Sequence, residues 1–237
     1  MGANQQILSS LGGSSAPVIP STNLYIDYNP QGQAYANNDP IGTLVDTVAA
    51  RNGTASGAQR PVFKTNQINT SLPAISFDGT NQYFDCVNLS ALSAGTVHIV
   101  VKLDTDPPID AHSGLWGMGS DVTGTHFPFS DGNIYDSFGT TVRKTVGNPG
   151  PTLTQWRIYS VWSDSNDWAA YLDGASLFTT ATNTVGFFSG AFILGAHANA
   201  ASYKLQGYIA RFLFYNAKQS TQDFTDTIAA LQGIYGL

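Results

Sequence analysis

The 237-residue sequence predicts an all-β fold: a two-sheet antiparallel jelly-roll sandwich, closed by one short C-terminal helix. Three observations carry that prediction. Composition is the first. Gly (24), Phe (13) and Tyr (11) abound alongside Thr and Val, lysine and arginine together number 10, and all 16 acidic residues are Asp, none Glu. Strand formers joined by turn formers dominate, and the strongest helix formers are scarce. The second observation is period-two alternation of apolar residues in several segments, the mark of a pleated strand. The third is Asp-Gly placed between apolar runs, which marks a tight reversal. A closed barrel is the alternative architecture.

In chain order, residues 1–22 read as an arm, flexible or docking, with a Gly-Gly-Ser-Ser stretch, Pro17 and Pro20 ahead of the domain. Ile7, Leu8 and Leu11 sit at helical spacing and would serve a docking role. The domain spans 23–237 with no dividing linker. Ala74–Phe77, Asp78-Gly79 and Tyr83-Phe84 read as a hairpin, as do Tyr171-Leu172, Asp173-Gly174 and Ala175–Phe178. Thr96–Leu103 alternates, with Val97, Ile99, Val101 and Leu103 on one face, and Trp156–Trp162 alternates likewise. Gly207–Tyr215 is the longest strand. Ile209, Leu213 and Tyr215 are expected on one face and Tyr208, Ala210, Phe212 and Phe214 on the other, so both faces should be covered. Ser220 is an N-cap with Asp223 three residues on, Phe224, Ile228 and Leu231 form one apolar stripe, and Gly233 is the expected stop.

Composition also excludes. The formal net charge of −6 and only 11% charged residues, against roughly 25% in ordinary domains, leave no clustered cations for nucleic acid or anionic lipid. One cysteine, Cys86, excludes an internal disulfide framework. No run of about 18 apolar residues offers a membrane span. The first residues lack the basic and apolar regions of a secretory signal.

Three stretches stand out: Leu72–Phe84, His126–Tyr135, and Ile193–Ala196 followed by Leu205–Asn216, with the ending Gly233–Leu237. Together they resemble the laminin-G-like branch of the concanavalin A-like lectin/glucanase superfamily, in its bacterial and bacteriophage form. Two departures stand out. Arg211 replaces the usual acid after Ile-Ala, and Phe129 replaces a Trp; both read as fold positions, Arg211 with a local ion pair. The resemblance implies the jelly-roll fold over 23–237, and a range of roles from sugar binding and polysaccharide cleavage to adhesion and virion structure.

The glucanase branch uses paired glutamates, which this chain lacks. Asp164 and Asp167 are a carboxylate pair, but in a Ser/Asn-rich turn where Asp is favoured anyway. His98, Tyr159 and Arg157 fall in no recognisable lyase motif. The four histidines lack metal-ligand spacing. Asp104, Asp106 and Asp110, with Asp121 following, are calcium candidates in loops; no other cofactor is implied. Binding remains. Trp116, Trp162, Trp168, Tyr28, Tyr35 and Tyr135 offer aromatic faces for sugar stacking, with His126 and Asp131 beside Tyr135 to read hydroxyls.

The sequence therefore predicts a non-enzyme: a bacteriophage virion structural protein, as surface decoration, head fibre or tail module. Its partners would be capsid or tail proteins and further copies of itself, and it would sit on the virion surface. The alternative is a carbohydrate-binding or adhesion module, extracellular or on a bacterial surface, with a glycan partner. A polysaccharide-degrading enzyme using Asp, Tyr or His ranks last.

Overall fold

A computed structural model describes residues 18–120, 124–197 and 202–237. The helically spaced Ile7, Leu8 and Leu11 of the arm, and Asp121, lie outside the described residues. Of the arm's end, Ile19 packs on the domain's outer core and the Pro20 carbonyl accepts from Tyr215 Oη at 3.0 Å, so these residues belong to the domain's packing.

The first strands are β1 (Leu24–Tyr28), β2 (Thr43–Leu44), β3 (Gly53–Thr54), β4 (Val62–Ile68), β5 (Leu72–Asp78), β6 (Phe84–Asn88) and β7 (Gly95–Leu103). There follow β8 (Trp116–Gly117), β9 (Ile134–Asp136), β10 (Lys144–Gly147), β11 (Arg157–Asp164), β12 (Asp167–Leu172), β13 (Ala175–Thr180), β14 (Ala191–Leu194) and β15 (Gln206–Tyr215), then helix α1 (Thr221–Tyr235). An eight-stranded antiparallel sheet runs β13-β12-β11-β7-β15-β5-β4. The ten-residue β15 pairs along one side with both β5 and β1, β5 on residues 206–209 and β1 on 212–215. A five-stranded sheet, β2-β3-β6-β14-β8, faces it, and β9–β10 forms a small ribbon. The predicted sandwich with one terminal helix is what forms.

Alternation builds two cores on the large sheet. Val97, Ile99, Val101 and Leu103 of β7 face the second sheet, with Phe77, Phe84, Trp116 and Tyr159. Val100, Ile158, Ala210, Leu213 and Tyr215 face outward and are covered by Phe224, Ile228, Leu231 and Tyr235 of α1. Central strands buried on both faces carry apolar residues on both for this reason, with buried His98 and Ser160 as polar exceptions.

Three local expectations are corrected. In β15 the chain gains one residue against β7, since Ile209 pairs with Val101 and Arg211 with Val100. The bulged Ala210 inverts the alternation, so Ile209 joins Phe212 and Phe214 inside, while Leu213 and Tyr215 point out. Secondly, Asp78-Gly79 makes no hairpin. Asp78 Oδ1 accepts from the amides of Thr80 (2.8 Å) and Asn81 (3.0 Å), and the widened loop carries the chain to the other sheet. Asp173-Gly174 does form the two-residue turn of β12–β13, both residues at positive φ (52° and 86°). Thirdly, Gly233 lies inside α1. The helix ends at Gly236, whose φ of 66° is the left-handed stop, while Ser220 Oγ caps the start, accepting from Asp223 N at 3.1 Å. Arg211 makes the expected ion pair, its Nε and Nη2 meeting Asp27 at 3.0 and 2.7 Å.

Candidate functional site

Helix α1 leaves part of the large sheet's outer face open. Between α1, the turn before it and the β11–β12–β13 end of the sheet lies a groove of about 490 Å³, inside the span of roughly 300–1,000 Å³ usual for small-molecule sites. Its floor is aromatic. Trp162 of β11 and Tyr171 of β12 lie 4.9 Å apart by ring centroid, and Phe224 of α1 lies 5.1 and 4.9 Å from them. Asp173 and Gly174 of the hairpin turn close one end, with Gln232. Lys218, Gln219, Thr221 and Thr225 form the helix-side wall.

Hairpin geometry places these groups. Asp164 pairs with Asp167 around a two-residue turn, so Trp162 stands opposite Ala169 and both point outward. Asp167 also points outward, and its Oδ1 accepts from Trp162 Nε1 at 2.9 Å. Its other oxygen is ion-paired with Lys218, whose ammonium stands 4.8 Å from the Trp162 ring centroid. Burial raises the Asp167 carboxyl, but the Lys218 ammonium and the indole N–H outweigh it and hold the group below its usual range. Burial and the Asp167 charge push the Tyr171 hydroxyl up. At the far end Asp173 accepts from Arg157 Nη1 (3.0 Å) and from Ile158 N (2.8 Å).

Beneath the wall lies a buried polar latch. Gln219 Oε1 is 2.6 Å from His98 Nε2, and Gln219 Nε2 donates to Thr227 Oγ1 at 3.1 Å. The amide oxygen only accepts, so neutral His98 carries its proton on Nε2 and receives Ser160 Oγ–H at Nδ1, 2.8 Å away. Burial drives the His98 pKa down to about 4, against the hydrogen bond to Gln219.

A second, smaller hollow of about 180 Å³ is lined by His126, Phe129, Tyr135 and Arg143. Tyr135 donates to Asp131 Oδ2 at 2.7 Å, and the Arg143 guanidinium lies 5.0 Å from the Tyr135 ring centroid. Ser113 donates its hydroxyl to the Asp110 carbonyl (2.7 Å), so His126 Nδ1–H is the donor to Ser113 Oγ at 2.8 Å. Burial, then the charges of His197 and Arg143, lowers the His126 pKa to about 4.

The expected site residues are thus divided. His126, Asp131 and Tyr135 come together at the small hollow, and Trp162 lies in the groove. Trp116 and Trp168 are corrected. Both are fully buried in the inter-sheet core, Trp116 donating to Asp136 Oδ1 (3.2 Å) and Trp168 to the Phe138 carbonyl (2.9 Å), so neither ring has a face for a ligand. Tyr28 is buried as well. The calcium candidates do not converge. Asp106 accepts from Leu153 N at 2.7 Å, Asp110 opens a one-turn helix, and among the described residues no group of three acids, histidines or cysteines, Asp104 included, stands ready for a metal. Tyr171, Phe224, Lys218 and Gln219 were missed as site residues. For the first two the signal was present, since Tyr171 and Phe224 belong to the same outward-facing set as Trp162.

No protein-family model and no curated protein matches the chain. Solved structures do. The Trypanosoma rangeli sialidase in complex with the inhibitor DANA aligns over 89% of this chain with a TM-score of 0.61 and 12% identity. Domain 4 of AbnA, a GH43 extracellular arabinanase from Geobacillus stearothermophilus, in complex with arabinotriose, aligns over 87% of this chain and 98% of its own length, TM-score 0.61, 16% identity. The receptor-binding domain of botulinum neurotoxin mosaic serotype C/D aligns over 88% of this chain and 51% of its own, TM-score 0.61, 13% identity. This chain spans only 33% of the sialidase chain. The expectation of a non-enzyme is overturned here, since the fold is shared with sialidases and with a domain of an arabinanase. The virion role, virion partners and self-association draw no support from these neighbours. What the comparisons establish is the fold: the chain is a β-sandwich of the kind found in these carbohydrate-active and receptor-binding proteins.

Proposed function

We propose that the chain is a carbohydrate-binding β-sandwich domain, of the concanavalin A-like and laminin-G-like kind, that works outside the cell or on its surface. The observation that carries the reading is the groove beside α1, where two partly exposed rings, Trp162 and Tyr171, are fixed over a cavity fringed by polar side chains. A sugar ring presents a C–H face to an aromatic ring and hydroxyls at its edge. Trp162 and Tyr171 meet the face; Asp173, Thr225 and Gln232 meet hydroxyls. Trp162 is held at its edge by Asp167, so little side-chain freedom is lost when a ligand stacks on it. The fold neighbour whose structure is in complex with arabinotriose supports the same reading. In the described residues no helix is long and apolar enough to cross a membrane.

The test is an oligosaccharide array probed with the full chain, then with Trp162→Ala and Tyr171→Ala, each checked for folding by near-UV circular dichroism. Binding that both substitutions remove supports the groove. Binding that survives both, yet is lost in Tyr135→Ala, moves the ligand to the smaller hollow and refutes the assignment.

A further inference from the structure

In the groove the Trp162 ring is not bare. The Lys218 ammonium stands 4.8 Å from its centroid and is ion-paired to Asp167, the same carboxylate that accepts the indole N–H at 2.9 Å. Tyr171 and Phe224, each within 5.1 Å of Trp162 or closer, complete an aromatic wall. This is a cation site filled by the chain's own lysine, since ring faces carry negative potential and a carboxylate supplies the counter-charge. Both charged side chains reach solvent, at 32% and 39% exposure, so the lysine can swing out at small cost. Behind the pair, Asp167 also borders an open depression of about 410 Å³ with Asn166, Thr179 and Thr180, which gives a longer ligand room to continue.

Resting on the reading of the groove as a saccharide site, we infer that its ligand is an amino sugar whose protonated amine replaces the Lys218 ammonium over Trp162 and against Asp167. The exchange argument is differential. A neutral sugar that stacks on Trp162 must displace Lys218 and offers Asp167 hydroxyl donors but no counter-charge. An ammonium-bearing sugar restores both the ring contact and the ion pair. The other charges nearby do not oppose it. Asp173 is held by Arg157, and the positive end of α1 is capped by Ser220 and followed by Asp223 and Asp226.

Calorimetry on the full chain compares β-1,4-linked glucosamine oligomers with their N-acetylated counterparts and with glucose oligomers. The inference expects the glucosamine series to bind about tenfold tighter or more, the worth of one charge-assisted contact, and to weaken as salt is raised. Asp167→Asn, which keeps an oxygen for the indole N–H, should collapse that ratio towards one. Lys218→Met removes the competitor, and should tighten all series by about 2- to 30-fold, the span of a cation–π contact, without changing the ratio. Neutral oligomers binding as tightly as glucosamine oligomers, or a ratio untouched by Asp167→Asn, overturns the inference and leaves saccharide binding standing. No binding by any series overturns both.

Discussion

Acid should unlatch α1 from the sheet, and His98 sets the size of the effect. The imidazole is fully buried between β7 and α1, ring to ring with Phe224 at 4.9 Å, and its two nitrogens are engaged by Ser160 and Gln219. Its pKa is about 4 in the fold against 6.5 for an unburied histidine. The folded value is depressed, so below pH 6.5 the unfolded chain takes up a proton that the folded chain refuses. The share that His98 contributes is full above pH 6.5, falls as pH drops, and is gone below about 4. Over the whole window the loss comes to about 3 kcal/mol, and between pH 7 and 5 it is about 2 kcal/mol. Burial also lowers His126 to about 4, so a second contribution of the same sign accompanies it. Urea unfolding at pH 7 and pH 5 reads the total, and the same pair of measurements on His98→Gln isolates the first share. The variant should be less stable at pH 7 yet lose about 2 kcal/mol less than the parent on acidification. An imidazole that titrates near 6.5 by NMR, or an unchanged pH difference in the variant, would refute the reasoning.

Other expectations follow from burial and backbone geometry. Trp116→Ala and Trp168→Ala empty fully buried sites and should lower the unfolding free energy by about 3–5 kcal/mol, read by chemical denaturation. Asp136 is buried and accepts from Trp116 Nε1, Thr125 Oγ1, Phe138 N and Tyr159 Oη. Asp136→Ala strands those donors and should cost about 3–5 kcal/mol, whereas Asp136→Asn keeps Oδ1, lets the Tyr159 hydroxyl turn about, and should cost about 1 kcal/mol; equal costs would contradict this account. Gly236→Ala sets a Cβ 2.6 Å from Asn69 Nδ2 at a φ of 66°, and should lower the thermal midpoint by the equivalent of about 1–2 kcal/mol.

How far the sequence could be read is seen in its two tryptophans around Asp164–Asp167. A two-residue hairpin pairs Asp164 with Asp167, which sets Ser163 opposite Trp168 and Trp162 opposite Ala169. Residues directly opposite share a face and successive residues alternate, so Trp162 and Trp168 must lie on opposite faces. One is core, although the sequence reading offers both rings as stacking faces. Which face is core was fixed by β7, whose Val97–Leu103 set was read correctly. The Ala210 bulge was not legible, because an inserted residue leaves no mark in an apolar run that is buried on both sides. Asp78-Gly79 and Asp173-Gly174 look alike in sequence; they diverge because Asp78 turns its carboxylate to the amides that follow, whereas the second pair takes two positive φ values between strands in register. Lys218 and Gln219 lie between β15 and α1, where no period exists to assign them a face.

The same outer sheet face supplies the comparison that separates a site from plain cover. A helix with its side chains is about 10–12 Å across, whereas the eight residues of β11 run about 26 Å at about 3.3 Å each. One helix cannot cover the full length of the strands it packs on, and rings make up the shortfall at the two ends of β11. On one flank Trp156 and Tyr208 lie 6.2 Å apart beneath Lys102, whose ammonium stands 5.4 and 4.8 Å from their centroids. On the other, Lys218 stands over Trp162, with Tyr171 beside that ring. A lysine over an outward-facing ring is therefore this chain's way of wetting an apolar face with few charges, and is not in itself a site. The flanks differ in two respects. The rings of the first line no part of the groove, and Trp156 donates its N–H to the backbone carbonyl of Gln67, a neutral group. Trp162 borders a cavity and donates to a carboxylate that also holds the lysine. Concavity gives a ligand room, and Asp167 gives it a charge to meet, so discrimination among ligands must be decided at Asp167 and not at the rings.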